Sequence, residues 1–224
     1  MKDMNQILSQ CSLFDMIDEE NYSNVLKCLN AHRKAFNKGE TIAEIGDSTD
    51  TAGIVLDGKI EINFFDEDGN QINIRHIAEG EVFGAAQSCG AKAPINVMIR
   101  AIEDCDVVFM NFANLLQVQN NYCPYRAQVT ANLLRDFAKR TVFLNQRMHI
   151  VCQKKLRDKI KVYLQTLGHD ESGTFNLPFS RAEFADYLYV DRSALSRELS
   201  RMKSQGIIDY DGRTIRIIDD TFLN

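Results

Sequence analysis

The sequence has no apolar run approaching the roughly 18 residues that a bilayer-spanning helix requires. Its N-terminus, MKDMNQILSQ, lacks a basic segment followed by an apolar stretch, so no secretory signal is expected and the protein is expected to stay in the cytoplasm. The 6 cysteines, Cys11, Cys28, Cys89, Cys105, Cys123 and Cys152, are scattered and form no CxxC pair. They are too few for a disulfide scaffold in a chain of 224 residues. Free, mostly buried thiols in a reducing compartment are expected, with a redox switch as the sharper alternative. The 4 histidines form no HxH or HxxxH pair, which argues against a cupin-type metal site. An excess of positive charge is also missing. A formal net charge of −5 excludes a wholly basic protein that coats nucleic acid, though not a local basic patch. There are no long internal repeats and no low-complexity segments.

The length suffices for one large domain or two small ones, each with its own core. Residues 1–35 read as short helices, with Ile7, Leu8, Leu13 and Phe14, then Val25, Leu26 and Leu29, at helical spacing. From 36 to 112 the texture changes. Glycines recur between short β-rich runs at 53–56, 59–64, 71–74, 97–99 and 107–109, a pattern of many short strands that suits a small β-barrel or sandwich. Asp57-Gly58 and Asp68-Gly69 are hairpin-turn pairs. Asp66, Asp68 and Asn70 hint at a calcium loop, but its twelfth position is Ile77 rather than Glu, so a turn is expected.

Residues 124–150 contain no glycine, and Pro124 stands where a first helical turn tolerates it. Val129, Leu133, Phe137, Leu144 and Met148 make an apolar stripe along a helix of about seven turns. The expected cover for such a stripe is a second copy of the chain. Helical spacing resumes at Leu156, Ile160, Tyr163, Leu164 and Leu167, Gly168 ends it, and 169–173 is a polar loop. The domain change is placed near 150–155.

Residues 180–218 carry the strongest signal. Ser180 and Glu183 have capping-box spacing ahead of a short helix with Phe184, Ala185 and Leu188 on one face. Tyr189-Val190-Asp191 makes a turn, and Asp191 is a suitable N-cap for a second helix. That helix, about 192–204, has Leu195, Leu199 and Met202 inward and Arg192, Ser193, Ser196, Arg197 and Ser200 on the opposite side. With Arg201 and Lys203 it carries a net +3 against the single acid Glu198. For this helix alone, a solvated amphipathic helix with a basic face is the lesser alternative. It is followed by Gly206, a strand at 207–210, the turn Asp211-Gly212 and an alternating return strand at 213–218. Helix, turn, basic helix and β-wing together point to docking in the DNA major groove.

The strings from Ser180 to Leu188 and from Val190 to Leu199 resemble the helix-turn-helix of the Crp–Fnr superfamily. Gly80-Glu81-Val82-Phe83-Gly84, followed after a loop by Arg100-Ala101, is similar to that family's effector-domain signature. The resemblance spans nearly the whole chain. It implies an α+β protein: a β-roll (double-stranded β-helix, cupin-like) effector domain at 1–123, a dimerisation helix at 124–150 and a winged helix-turn-helix at 151–224. It implies that Arg192, Ser193, Ser196 and Arg197 read bases, and that Ser180, Arg201 and Lys203 meet phosphates. It also implies double-stranded DNA and a second copy of the chain as partners, with RNA polymerase as a further candidate and no membrane. The family usually has Gly where Tyr189 stands. If that position needs positive φ, Tyr costs about 1 kcal/mol there.

The effector pocket implied by the resemblance involves Phe83, Gly84, Ala85, Ala86, Ile95 and Asn96, with Leu144 and Asn145 on the long helix. Family members that bind a cyclic nucleotide use Gly-Glu-Leu and, eleven residues after its Gly, Arg-Ser. Here those places hold Gly84-Ala85-Ala86 and Ile95-Asn96. The Glu for ribose and the Arg for phosphate are both absent, so useful binding of cyclic AMP is not expected. A less polar ligand, or none, is expected, and no cofactor is assigned. With only Cys11 and Cys28 near the N-terminus, an iron–sulfur cluster is not expected. Haem would need His76 or His149, each of which reads more simply as structural. The competing reading is a cupin-type β-barrel enzyme with a helical C-terminal domain, which would require a metal cluster or a converging acid/base pair.

Overall fold

A computed structural model describes residues 3–47, 50–65, 71–90, 97–116, 123–167 and 173–223. By its internal packing the chain divides into two compact units, Met1–Phe137 and Ala138–Asn224, the division falling within one long helix.

The first unit opens with helix α1 (Met4–Leu8), two single 3-10 turns and α2 (Tyr22–Cys28). The helical reading of 1–35 ends early, because His32–Phe36 is strand β1, paired with the last strand of the barrel. The strands are β2 (Thr41–Ala43), β3 (Ala52–Asp57), β4 (Ile60–Phe65), β5 (Gln71–Ile77), β6 (Val82–Phe83), β7 (Met98–Ala101) and β8 (Cys105–Met110). Short helices α3 (Ala85–Ser88) and α4 (Ala113–Leu116) follow β6 and β8. Two antiparallel four-stranded sheets result, ordered β1-β8-β3-β6 and β2-β7-β4-β5.

Asp57-Gly58 is therefore not a hairpin turn. β3 and β4 lie in different sheets, and the pair carries the chain from one to the other. Gly58 has φ +81°, and a Cβ there would lie 2.2 Å from the Asp104 carbonyl oxygen, so the crossing needs glycine. β4 and β5 do pair, from Ile60 with Ile77 to Phe65 with Gln71. The turn between them, with Asp66, Asp68-Gly69 and Asn70, lies outside the described residues.

β3 reads as a continuous apolar run because both its faces are covered. Ala52, Ile54 and Leu56 join Val108 and Met110 against the N-terminal helices. Val55 joins Phe36, Ile60, Ile77, Phe83, Ile99 and Val107 between the sheets.

Helix α5 spans Arg126–Val151. The predicted stripe splits along it. Val129 and Leu133 are buried in the first unit's core, with Phe137 packed at its edge, whereas Leu144 and Met148 are exposed, as are Leu134, Val142 and Phe143. Asn132 is also buried, and it donates to the carbonyls of Leu13 (3.0 Å) and Asp15 (2.7 Å) while accepting from Gln128 and Arg135. This polar anchor pins the helix to the N-terminal segment.

In the second unit α6 (Leu156–Thr166) precedes strand β9 (Thr174–Asn176), which begins just beyond the polar loop expected at 169–173. Helices α7 (Arg181–Leu188) and α8 (Arg192–Ser204) and strands β10 (Ile208–Asp211) and β11 (Thr214–Ile217) complete it. β9 pairs with β11, so the wing is a three-stranded sheet, order β10-β11-β9. Ile150, Ile160, Leu164, Phe175, Phe184, Leu195, Leu199, Met202, Ile208 and Ile215 share one core.

Candidate nucleic-acid interface

The helix-turn-helix is set by bonds local in sequence. Ser180 Oγ accepts from the Glu183 amide (3.3 Å), and Glu183 Oε2 accepts from the Ser180 amide (2.6 Å), a complete capping box. At the other end of α7, Lys159 of α6 donates from Nζ to the Leu188 carbonyl at 2.9 Å, placing a cation on the negative helix terminus.

Tyr189 follows in the left-handed region, φ 54° and ψ 57°. Its amide donates to Asp186 O and the Val190 amide to Ala185 O, which is a Schellman closure. The positive φ that favours glycine is thus present, and a tyrosine occupies it. A compensating contact exists: the Arg147 guanidinium lies 5.5 Å from the Tyr189 ring centre and 5.2 Å from that of Tyr187. Such a cation over two rings offsets about 1 kcal/mol, comparable with the backbone strain.

Helix α8 starts at Arg192 with Asp191 as its N-cap residue, but the Asp191 side chain makes no capping hydrogen bond. The N-cap expectation is corrected to that extent: the carboxylate can act only through its charge near the helix terminus. Leu195, Leu199 and Met202 are fully buried, as their spacing predicts. Arg192, Ser193, Arg197, Ser200 and Arg201 are exposed and Ser196 is half-buried. The one acid, Glu198, is engaged: Arg157 of α6 donates from Nε to its Oε1 at 2.7 Å.

Two residues assigned to phosphates have other engagements. Lys203 pairs with Asp209 at 2.5 Å, and its ammonium lies 5.3 Å from the Tyr210 ring centre. That contact pushes Lys203 up and holds the Asp209 carboxyl below the usual carboxylate range. Ser180 uses its oxygen in the capping box, which leaves its hydroxyl proton to donate.

The wing turn differs from the expected Asp211-Gly212. Asp211 pairs with Thr214, so the two turn residues are Gly212 (φ 54°) and Arg213, and the tip carries an exposed cation. Arg181 braces the wing, its guanidinium 4.7 Å from the Tyr210 ring centre and its Nη2 donating to Gly212 O at 3.3 Å. The Tyr210 hydroxyl is within hydrogen-bond distance of Ser200 Oγ (3.1 Å). That bond is the first cause of a lowered Tyr210 pKa, with the Arg181 guanidinium adding to it. Sequence reasoning missed Arg157, Arg181 and Arg213. Moving the turn by one residue would have exposed Arg213; the other two have no local signal.

In the first unit a cavity of about 320 Å³ is lined by Ile42, Ala43, Asp47, Thr51, Ile62, Phe83, Gly84, Gln87, Val97, Ile99 and Phe109. Of the residues assigned to the effector pocket, Phe83 and Gly84 line this cavity. Ala85 does not: it begins α3 and is buried against the N-terminal helices, while Ala86 is exposed. Ile95 and Asn96 lie outside the described residues. Leu144 and Asn145 are exposed residues of the second unit. The signature's cation, Arg100, donates to Glu61 Oε1 from Nε (3.1 Å) and Nη2 (2.7 Å). Glu81 closes its own turn, accepting from the Ala78 amide at 2.8 Å and pairing with Arg75. Among the described residues no group of three or more His, Cys, Asp or Glu could hold a metal ion, and no helix is long and apolar enough to cross a membrane.

Residues 33–122 match the cyclic nucleotide-binding domain family, and residues 159–223 match the Crp-like helix-turn-helix domain. The chain belongs to the Crp–Fnr superfamily of transcription regulators. It is 26% identical over 204 residues to Electron transport regulator A of Shewanella oneidensis, covering 86% of this chain and 77% of that one. It is 19% identical over 190 residues to the cAMP-activated global transcriptional regulator Vfr of Pseudomonas aeruginosa, covering 83% and 89%. The structure of CLP from Xanthomonas campestris, a c-di-GMP responsive global regulator, superposes with a TM-score of 0.59 over 90% of this chain and 100% of that one, at 18% identity. That likeness shows the fold. As a Crp–Fnr regulator the protein binds DNA through its helix-turn-helix, and the reading as a β-barrel enzyme gives way to it.

Proposed function

We propose that this Crp–Fnr regulator acts in the cytoplasm as a homodimer on a near-palindromic DNA site. The observation that carries the reading is the polarity of α8. Its apolar side is sealed into the core, its acid is neutralised by Arg157, and Arg192, Arg197 and Arg201 are exposed. Arg192, Ser193, Ser196 and Arg197 are the base-reading set, with Arg197 on a guanine edge. Ser180 and Arg201 meet phosphates, and Arg213 at the wing tip joins them. Lys203 contributes long-range charge while bound to Asp209. The exposed apolar side chains of α5, Leu134, Val142, Phe143, Leu144 and Met148, support a two-fold helix interface. Two recognition helices about 34 Å apart would then enter successive major grooves. The functional segments are 1–123, 124–150 and 151–224, and contact with RNA polymerase belongs to the same reading.

The effector is not cyclic AMP. The cavity is mostly apolar, its described lining includes Asp47 and no cation, and Arg100 is committed to Glu61. A neutral, weakly polar ligand suits it better. Selection of bound sequences from a random DNA pool tests the main reading: a two-fold symmetric motif supports it, and retention without sequence preference overturns it. Isothermal titration with cyclic AMP tests the second part, where micromolar or tighter binding would refute it.

A further inference from the structure

Neither Ser200 nor Tyr210 belongs to the base-reading or the phosphate set, yet the two side chains meet. Ser200 is an exposed residue of α8 and Tyr210 a half-buried residue of β10. Their hydroxyl oxygens are 3.1 Å apart, a bond that joins the recognition helix to the wing. The Tyr210 ring packs at the edge of the second unit's core, and its strand partner Ile215 is buried. The Arg181 guanidinium lies 4.7 Å and the Lys203 ammonium 5.3 Å from the ring centre. Lys203 Nζ also donates to the Tyr210 carbonyl at 3.5 Å. The ring is held from α7, α8 and the core, so its hydroxyl is placed before any ligand arrives.

Two hydroxyls hold two protons, and the bond between them uses one. A phenol is the stronger acid of the pair, and the two cations beside its ring strengthen it, so Tyr210 donates and Ser200 Oγ accepts. The Ser200 proton is left over. Arg181 and Lys203 carry donors only, and Asp209 is paired with Lys203 at 2.5 Å and Arg216 at 3.8 Å. Among the described residues no other acceptor is bonded to the Ser200 hydroxyl. Ser200 also continues the outward side of α8 beyond Ser193, Ser196 and Arg197, roughly 10 Å along the axis from Ser193. A recognition helix presents its N-terminal residues to base edges, which leaves this later turn to the sugar-phosphate wall of the groove.

We propose, on the reading of α8 as the recognition helix, that Ser200 donates to a phosphate oxygen of the DNA backbone and that Tyr210 is the positioning residue that turns the Ser200 proton outward. The contact is a neutral hydroxyl on an anion. It adds affinity for every sequence alike, because it touches no base edge. It leaves the salt dependence unchanged, because no cation of the protein is involved.

Full-length protein is bound to a duplex taken from the random-pool selection, with its phosphates ethylated at single positions, and the bound and free strands are compared. Affinity for the unmodified duplex is measured over a salt series. Wild type should show interference at a phosphate of each half-site where Ser200→Ala shows none. Affinity of Ser200→Ala should fall about three- to tenfold, with the same salt slope as wild type. Tyr210→Phe keeps the ring and loses the hydroxyl, and should weaken interference at that same phosphate. The double variant should bind no more weakly than Ser200→Ala alone. Ser200→Thr keeps a hydroxyl and should restore the signal. Interference in Ser200→Ala identical with wild type overturns the phosphate contact, and Tyr210→Phe indistinguishable from wild type overturns the positioning role. A wild type that selects no site overturns the reading of α8 itself, an outcome seen before any Ser200 variant is made. Ser200 is exposed and alanine favours a helix, so misfolding does not account for a lost signal.

Discussion

Arg157 on α6 and Glu198 on α8 are joined by a hydrogen bond from Nε to Oε1 at 2.7 Å, both side chains partly buried. The pair removes the only negative charge on the recognition helix from the field that a DNA phosphate meets, and it fixes α8 against α6. Glu198→Gln keeps an acceptor for Arg157 and frees its charge, so affinity for any duplex should rise a few-fold at low salt and less at high salt. Arg157→Ala leaves the carboxylate uncompensated and should weaken binding by about 1 kcal/mol, roughly fivefold. Gel retardation across a salt series reads both, and equal affinities in the two variants would contradict the account.

Arg197→Ala should flatten sequence preference at one base pair of each half-site, a loss of about 1–3 kcal/mol in discrimination. Non-specific binding should survive with nearly the same salt dependence. Arg213→Ala should do the reverse, weakening all sequences alike and lowering the salt slope by about one. Competition between specific and random duplexes separates the two outcomes.

Tyr189 combines a strained backbone with a compensating contact to Arg147. Tyr189→Gly relieves the strain and loses the contact, so its stability should match wild type within about 0.5 kcal/mol. Tyr189→Ala keeps the strain and loses the contact, and should be destabilised by about 1 kcal/mol. Arg147→Ala should resemble it. Urea unfolding followed by circular dichroism gives the ordering, and Ala more stable than Gly at this position would contradict it.

Asn132 is 2% exposed and bonded on both ends of its amide. Asn132→Leu would leave the Leu13 and Asp15 carbonyls without its two N–H donors, destabilising the first unit by about 2–4 kcal/mol. The change should appear in the unfolding midpoint without a change in slope.

The wing carries a pH window. Asp209 is depressed by Lys203, so the stability it lends is present above its unfolded value and is lost as pH falls through the lower folded one. Lys203 is raised by Asp209, so its share is present below its own unfolded value and is lost as pH rises through the higher folded one. Amide exchange in β10 and β11 should therefore be slowest between the two limits, after correction for intrinsic rates. Asp209→Asn should abolish both edges of that window.

Much of this protein could be read along the chain because the decisive contacts there span only a few residues. The Ser180–Glu183 capping box and the Leu195, Leu199 and Met202 stripe are both set by backbone geometry over one or two helical turns. The same holds for the β-rich texture after residue 36. Tertiary structure alone decided that Glu198 is neutralised from 41 residues away. It also decided that Asp57-Gly58 crosses between sheets, that Ala85 faces a core rather than the cavity, and that half of the α5 stripe is buried and half exposed. Those outcomes depend on which surfaces burial brings together, and a side chain carries no local mark of a partner that reaches it only when two distant segments share a core.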